Sequence, residues 1–140
     1  MKTHPTVVRD LMSVDVVTLE RNDKLAAAED LMRLGRIRHL PVLDEDGGLA
    51  GIVSQRDLFH SGLIKALGYG SHAQHHALAT VAIKEAMNTD VITTTPDTPL
   101  REAARAMFER KIGCLVVVDG GRIAGILAES DFVKLASRSQ

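Results

Sequence analysis

The chain has no tryptophan, one tyrosine and three phenylalanines among its 140 residues, so the aromatic platforms on which single-stranded nucleic acids stack are scarce. No charge dominates either: 17 Lys and Arg face 18 Asp and Glu, a net charge of −1, which gives no long-range attraction for a phosphate backbone. General nucleic-acid binding is therefore not expected. The single cysteine, Cys114, has no partner for an internal disulfide and fits a reducing compartment. Long apolar runs are missing as well. The stretch 115–118 is typical, far short of the roughly 20 residues that a membrane helix needs. Residues 1–10 hold no apolar segment resembling a signal-peptide core. The expectation is a cytoplasmic protein without a membrane span. What is present is ordinary: 45% apolar and 25% charged residues, the proportions of a globular chain with a true core. A chain of 140 residues makes one domain, or two small units too marginal to stand apart.

An internal repeat resolves that choice. Sliding the chain on itself by 75 places Asp15, Val16 and Thr18 on Asp90, Val91 and Thr93, and Leu25, Ala28, Met32, Ile37, Leu40, Val42 and Asp44 on Leu100, Ala103, Met107, Ile112, Leu115, Val117 and Asp119. Past a glycine-containing turn the offset drops to 74, and Ala50, Gly51, Ile52 and Asp57 meet Ala124, Gly125, Ile126 and Asp131. Each copy reads as a short extended lead, an amphipathic helix, two strands joined across glycines and a last helix. The stripe Leu25, Ala28, Leu31, Met32 recurs as Leu100, Ala103, Met107. Thr98 followed by Pro99 predicts an N-cap and first helical position, with Asp23 in the Thr98 place. The repeats are expected at 8–67 and 80–136, joined by a linker at 68–79, with helix resuming over 77–87. The class is α/β (α+β).

The strongest local signal is Gly51-Ile52-Val53-Ser54-Gln55-Arg56-Asp57, where a buried strand runs into a helix. A helix start exposes N–H groups and the positive end of a dipole, which suits a phosphate. Ser54 has the chemistry to donate to a phosphate oxygen and Asp57 to accept sugar hydroxyls. The same two residues also have the spacing of a capping box. In the second copy Ala128 replaces the hydroxyl while Asp131 is kept, which points to a task the acid performs alone. His39 is either a satisfied histidine at a strand start or a phosphate neighbour, and Arg38 and Arg56 are either solvated cations or ligand contacts. Cys114 reads as core. His72, His75 and His76 in the linker lack further ligands at metal-site spacing, so no metal is expected.

Taken together, the two leads, the capped helices, Ile37-Arg38-His39-Leu40-Pro41-Val42 and the Gly-to-Asp motif resemble a tandem CBS domain pair, the cystathionine β-synthase type module, across residues 8–136. The resemblance implies two repeats packed through their sheets about a pseudo-twofold axis, with two clefts for adenosyl ligands: AMP, ADP, ATP or S-adenosylmethionine. It implies that Ser54, Arg56 and Asp57 share one cleft with Ile92, Thr93 and Cys114. The other would join Ala128 and Asp131 to Val17, Thr18, Arg38 and His39. The first has its hydroxyl and acid but no basic residue at Gly113 and Cys114; the second lacks the hydroxyl but keeps its acid together with Arg38 and His39, so the clefts are expected to differ in affinity.

No nucleophile with a base, and no metal with an open position, is legible in the sequence, so an enzyme is not expected and no catalytic residue is assigned. The expected function is a regulatory ligand sensor. It would need no cofactor beyond its nucleotide, would act as a homodimer through its amphipathic last helices, and would report to a separate effector protein. The alternative is a structural or interaction module with vacant clefts.

Overall fold

The computed structural model describes residues 4–35, 37–65 (61–65 by backbone alone) and 78–138; His72, His75 and His76 lie outside the described residues. The chain is α/β and divides into two compact units, one formed by Val17–Asp90 and the other by Met1–Val16 with Val91–Gln140. Each unit holds a three-stranded sheet. In the first, β1 (Leu19–Glu20) runs parallel to β2 (His39–Leu43), which pairs antiparallel with β3 (Leu49–Ser54). In the second, β4 (Thr93–Thr94), β5 (Cys114–Asp119) and β6 (Arg122–Ala128) repeat the arrangement. Helices α1 (Leu25–Gly35) and α2 (Gln55–Lys65) belong to the first unit, and α3 (Leu100–Arg110) and α4 (Glu129–Arg138) to the second.

The predicted stripes are the buried faces. Leu25, Ala28 and Met32 join Leu40, Val42 and Val53 in one core, and Leu100, Ala103 and Met107 join Leu115, Val117 and Leu127 in the other. Both hairpins form as expected, with their turns made by different means. Gly120 and Gly121 both take positive φ between the paired residues Asp119 and Arg122, the two-residue turn that suits strand twist. In the first copy the longer loop is closed by Asp44 N–H to Gly48 O at 2.8 Å and Gly48 N–H to Asp46 Oδ1 at 3.0 Å. This is where the repeat offset changes.

The leads are exchanged between the repeats. The lead that opens the second repeat, with its 3₁₀ turn Ile83–Glu85, is part of the first unit. There Ile52 and Asn88 trade backbone hydrogen bonds at 3.0 and 2.9 Å, and Ile83 is fully buried. The lead that opens the chain, with its turn Val8–Asp10, is part of the second unit. Ser13 and Ile126 trade bonds at 2.9 and 3.0 Å, and Val8 is fully buried. Glycine makes both approaches possible. A Cβ on Gly51 would stand 2.7 Å from Met87 Sδ and 2.9 Å from the Asn88 carbonyl; one on Gly125 would stand 2.8 Å from Met12 Sδ and 2.8 Å from the Ser13 carbonyl.

Two local expectations are corrected. Pro99 is itself the N-cap of α3 and no side chain caps that helix. Instead Thr98 Oγ1 takes the Thr95 N–H at 3.4 Å, and Asp23 Oδ2 takes the Glu20 N–H at 2.8 Å, so these side chains close the turn before each helix. The first helical N–H goes to a lead: Leu25 N–H to Val81 O at 3.0 Å, Leu100 N–H to Thr6 O at 2.9 Å. The helix expected over 77–87 ends at Thr80, because Val81 and Ala82 are drawn into extended bonds with Leu25 and Lys24.

The glycine contacts generate a prediction. Gly51→Ala forces a methyl against the lead's backbone as well as a flexible sulfur, and is expected to cost about 1–3 kcal/mol, read as a lower denaturant midpoint. An unchanged midpoint would show that the lead is loosely held.

Candidate functional site

At the β3–α2 junction the capping box forms in full. Ser54 N–H donates to Asp57 Oδ2 at 2.9 Å and Asp57 N–H donates to Ser54 Oγ at 3.1 Å, both half-buried. Gln55 N–H donates to the Arg38 carbonyl at 2.8 Å, so two of the N–H groups that open α2 are already engaged. The second junction keeps the half that its residues allow. Ala128 N–H donates to Asp131 Oδ2 at 2.8 Å, and Glu129 N–H to the Gly113 carbonyl at 3.0 Å. The retained acid therefore has a local task, holding the N–H three residues before it, and its persistence without a hydroxyl partner needs no ligand to explain it. Each bond engages a single carboxylate oxygen, Oδ2.

Within the first unit the candidate residues collect at one end of the sheet. His39, half-buried at the start of β2, pairs with Ser54 at the end of β3; Arg38 precedes it and is exposed; Arg56 and Asp57 lie in the first turn of α2. Val17 and Thr18 lead into β1 from the same end, since β1 and β2 are parallel. Within the second unit Cys114 pairs with Ala128, Asp131 lies in the first turn of α4, and Ile92 leads into β4, which Thr93 opens. Each unit thus presents one acid-bearing helix start beside one strand lead.

The two leads into the sheets differ in a way that sequence reading missed. Val116 N–H donates to the Ile92 carbonyl at 3.3 Å, which starts the β4–β5 ladder at Thr93. The equivalent of Val116 is Pro41, which has no N–H. The ladder of the first unit accordingly begins one position later, at Leu19, and among the described residues no backbone group donates to the Val17 carbonyl. Pro41 is tolerated in a central strand because its partner Ile52 turns its own N–H and carbonyl toward Asn88. The signal was available in the substitution of Pro41 for Val116 across the repeat.

Cys114 is buried in the strand, and burial, with a smaller push from the Glu129 carboxylate, raises its thiol to about 12. It offers no thiolate at neutral pH. Among the described residues no group of three or more His, Cys, Asp or Glu is arranged to hold a metal, and no helix is long and apolar enough to cross a membrane.

The family model described as "CBS domain" matches residues 8–63 and again 83–138. The chain belongs to the CBS domain family. Among solved structures, AcuB of Vibrio cholerae is 39% identical over 94% of this chain and 90% of its own, with a TM-score of 0.79. The CBS domain pair of protein MJ0100, solved with 5-methylthioadenosine and S-adenosyl-L-methionine, is 30% identical over 95% of this chain and 98% of its own, with a TM-score of 0.76. CBSX2, solved with AMP, is 25% identical over 96% and 98%, with a TM-score of 0.77. A homoserine O-acetyltransferase of Methanosphaerula palustris is 31% identical over 95% of this CBS pair, which spans only 24% of that protein's length. This CBS pair thus covers about a quarter of the first curated relatives it matches, and the likeness is to their CBS part.

Two outcomes follow from the site's geometry. Ala128→Ser supplies the missing hydroxyl to the Asp131 N–H and is expected to stabilise the chain by about 0.5–1 kcal/mol, read from the denaturant midpoint; no gain would mean the second junction cannot close the box. Cys114 is expected to react with a thiol reagent at neutral pH only as denaturant opens the chain, and prompt native-state labelling would contradict its burial.

Proposed function

We propose that this CBS pair is a regulatory module that binds an adenosyl ligand, AMP, ADP, ATP or S-adenosylmethionine, and catalyses no reaction. The observation that carries the reading is the repeated assembly at one end of each sheet: an acid in the first turn of a helix, beside a strand lead that offers backbone and threonine groups. Asp57 and Asp131 each use one oxygen for the backbone, and in this reading their second oxygens take ribose hydroxyls. Ser54, Arg56, Arg38 and His39 serve the phosphates, while Val17, Thr18, Ile92, Thr93 and Cys114 bound the base. The ligands in the MJ0100 and CBSX2 structures support the adenosyl class.

A ligand shifts a protein between arrangements only through its differential affinity for them. The module therefore acts as a homodimer whose arrangement a separate cytoplasmic effector reads. Phe59 on α2 and Val133 on α4, at equivalent positions of the two repeats, are 61% and 66% exposed and offer apolar surface for that dimer. One observation favours a second reading, a structural oligomerisation module with vacant clefts: the capping box accounts for Ser54 and Asp57 without any ligand.

Thermal unfolding with AMP, ADP, ATP, S-adenosylmethionine and NAD separates the two. A ligand that binds only the folded chain at 100 times its Kd adds about 2.7 kcal/mol, several degrees at this size. The shift is expected to be selective among the five and to shrink in Asp57→Ala, with Asp57→Asn as the companion that keeps an acceptor for the Ser54 N–H. No shift at millimolar concentrations selects the structural module.

A further inference from the structure

We propose that the first unit carries a second ligand site, at the end of its sheet away from the capping box, and that this site takes a dibasic α-amino acid of the lysine type. The inference does not depend on the nucleotide reading. A cleft of about 420 Å³ opens there, within the range of roughly 300–1,000 Å³ common for small-molecule sites. It is built from the ends of β1 and β2, which stand side by side through the Glu20 and Leu43 register, and from the 3₁₀ turn of the incoming lead. Glu20, Arg21 and Asn22 line it from one strand end, Leu43, Asp44 and Glu45 from the other, and Lys84 from the turn. The backbone behind these side chains is pinned. Lys84 N–H donates to the Arg21 carbonyl at 2.9 Å, and Asp44 N–H to the Gly48 carbonyl at 2.8 Å.

The other repeat satisfies the same place from within. At the positions of Lys84 and Asn22 it carries Arg9 and Asp97, which form an ion pair, and a buried Pro96 stands where the first unit has Arg21. Asn22 has no charge to offer Lys84. Arg21 is committed to Asp44 at 3.5 Å, and among the described residues Lys84, Glu20 and Glu45 enter no ion pair. The cleft therefore presents one cation and two carboxylates without charged partners. A ligand that matches them carries one carboxylate and two cations. Its α-carboxylate meets Lys84, its two cations meet Glu20 and Glu45, and its aliphatic stem lies over Leu43. A diamine leaves Lys84 facing like charge, and a neutral amino acid leaves one glutamate unmatched, so both are disfavoured.

The test is a nuclear magnetic resonance titration of the full chain, at constant ionic strength, with L-lysine, cadaverine and L-norleucine. The three share a stem and differ in the carboxylate or the second amine. L-Lysine is expected to move the amides of Arg21, Asp44 and Lys84 while those of Ser54 and Asp57 stay still. Cadaverine and L-norleucine are each expected to bind about three- to fivefold more weakly, the upper range for an exposed ion pair. Lys84→Met removes the cation, and Asn22→Asp gives it the internal partner that Arg9 has; both positions are exposed. Each substitution is expected to erase the advantage of L-lysine over cadaverine. Glu20→Gln combined with Glu45→Gln is expected to erase its advantage over L-norleucine. No response at the three amides overturns the proposal, as does equal affinity for L-lysine and cadaverine in the unaltered chain. It is equally overturned by an advantage that survives both Lys84→Met and Asn22→Asp, or by sodium chloride alone reproducing the shifts.

Discussion

Both units depend on the same close approach, a lead segment laid against the outer edge of a hairpin strand that must carry glycine. Without Gly51 and Gly125 the sulfurs of Met87 and Met12 and the carbonyls of Asn88 and Ser13 would collide with a side chain, and the paired bonds at Ile52 and Ile126 would not form. Those bonds cover a strand edge that would otherwise offer itself to other chains. The same leads supply the carbonyls that receive the first helical N–H groups of α1 and α3 and bring Ile83 and Val8 into the two cores. Strand edge, helix start and core are thus settled by one short segment in each unit.

That dependence explains which features were legible in the sequence. The helical stripes, the hairpins and the Ser54–Asp57 box follow from spacing within a few residues, and each is found where the periodicity places it. The helix starts were misread, because the groups that satisfy Leu25 and Leu100 lie on Val81 and Thr6, far along the chain, where no local pattern points. Thr98 has the identity of a cap, yet its hydroxyl is drawn backward to Thr95. The membership of each lead was likewise invisible, since both hairpins carry the same glycine and both leads the same methionine.

The candidate residues show a related ambiguity. Ser54 and Asp57 form a cap, and in the proposed reading the same carboxylate also meets a ligand, since only Oδ2 is committed to the backbone. A half-buried acid already oriented by the backbone loses little freedom on meeting a ribose. Ala128 and Asp131 show the orienting bond surviving alone. The two repeats also differ at two places beside these residues: the hydroxyl present at Ser54 but absent at Ala128, and the backbone donor present at Val116 but absent at Pro41.

The exchange of leads bears on how the chain is made. Residues 17–90 form one unit from a single stretch of chain, whose parts leave the ribosome close together. The other unit joins Ser13 to Ile126, and synthesis at about 5–20 residues per second separates those partners by several seconds. During that interval the earliest lead, with Val8, Leu11 and Met12, has no hairpin of its own unit to cover, while Gly51 and Ile52 present a closely similar edge nearby. The repeat that makes the fold possible therefore also leaves two closely similar hairpin edges, each with its own lead to take: Met87 and Asn88 at Gly51 and Ile52, and, much later in synthesis, Met12 and Ser13 at Gly125 and Ile126.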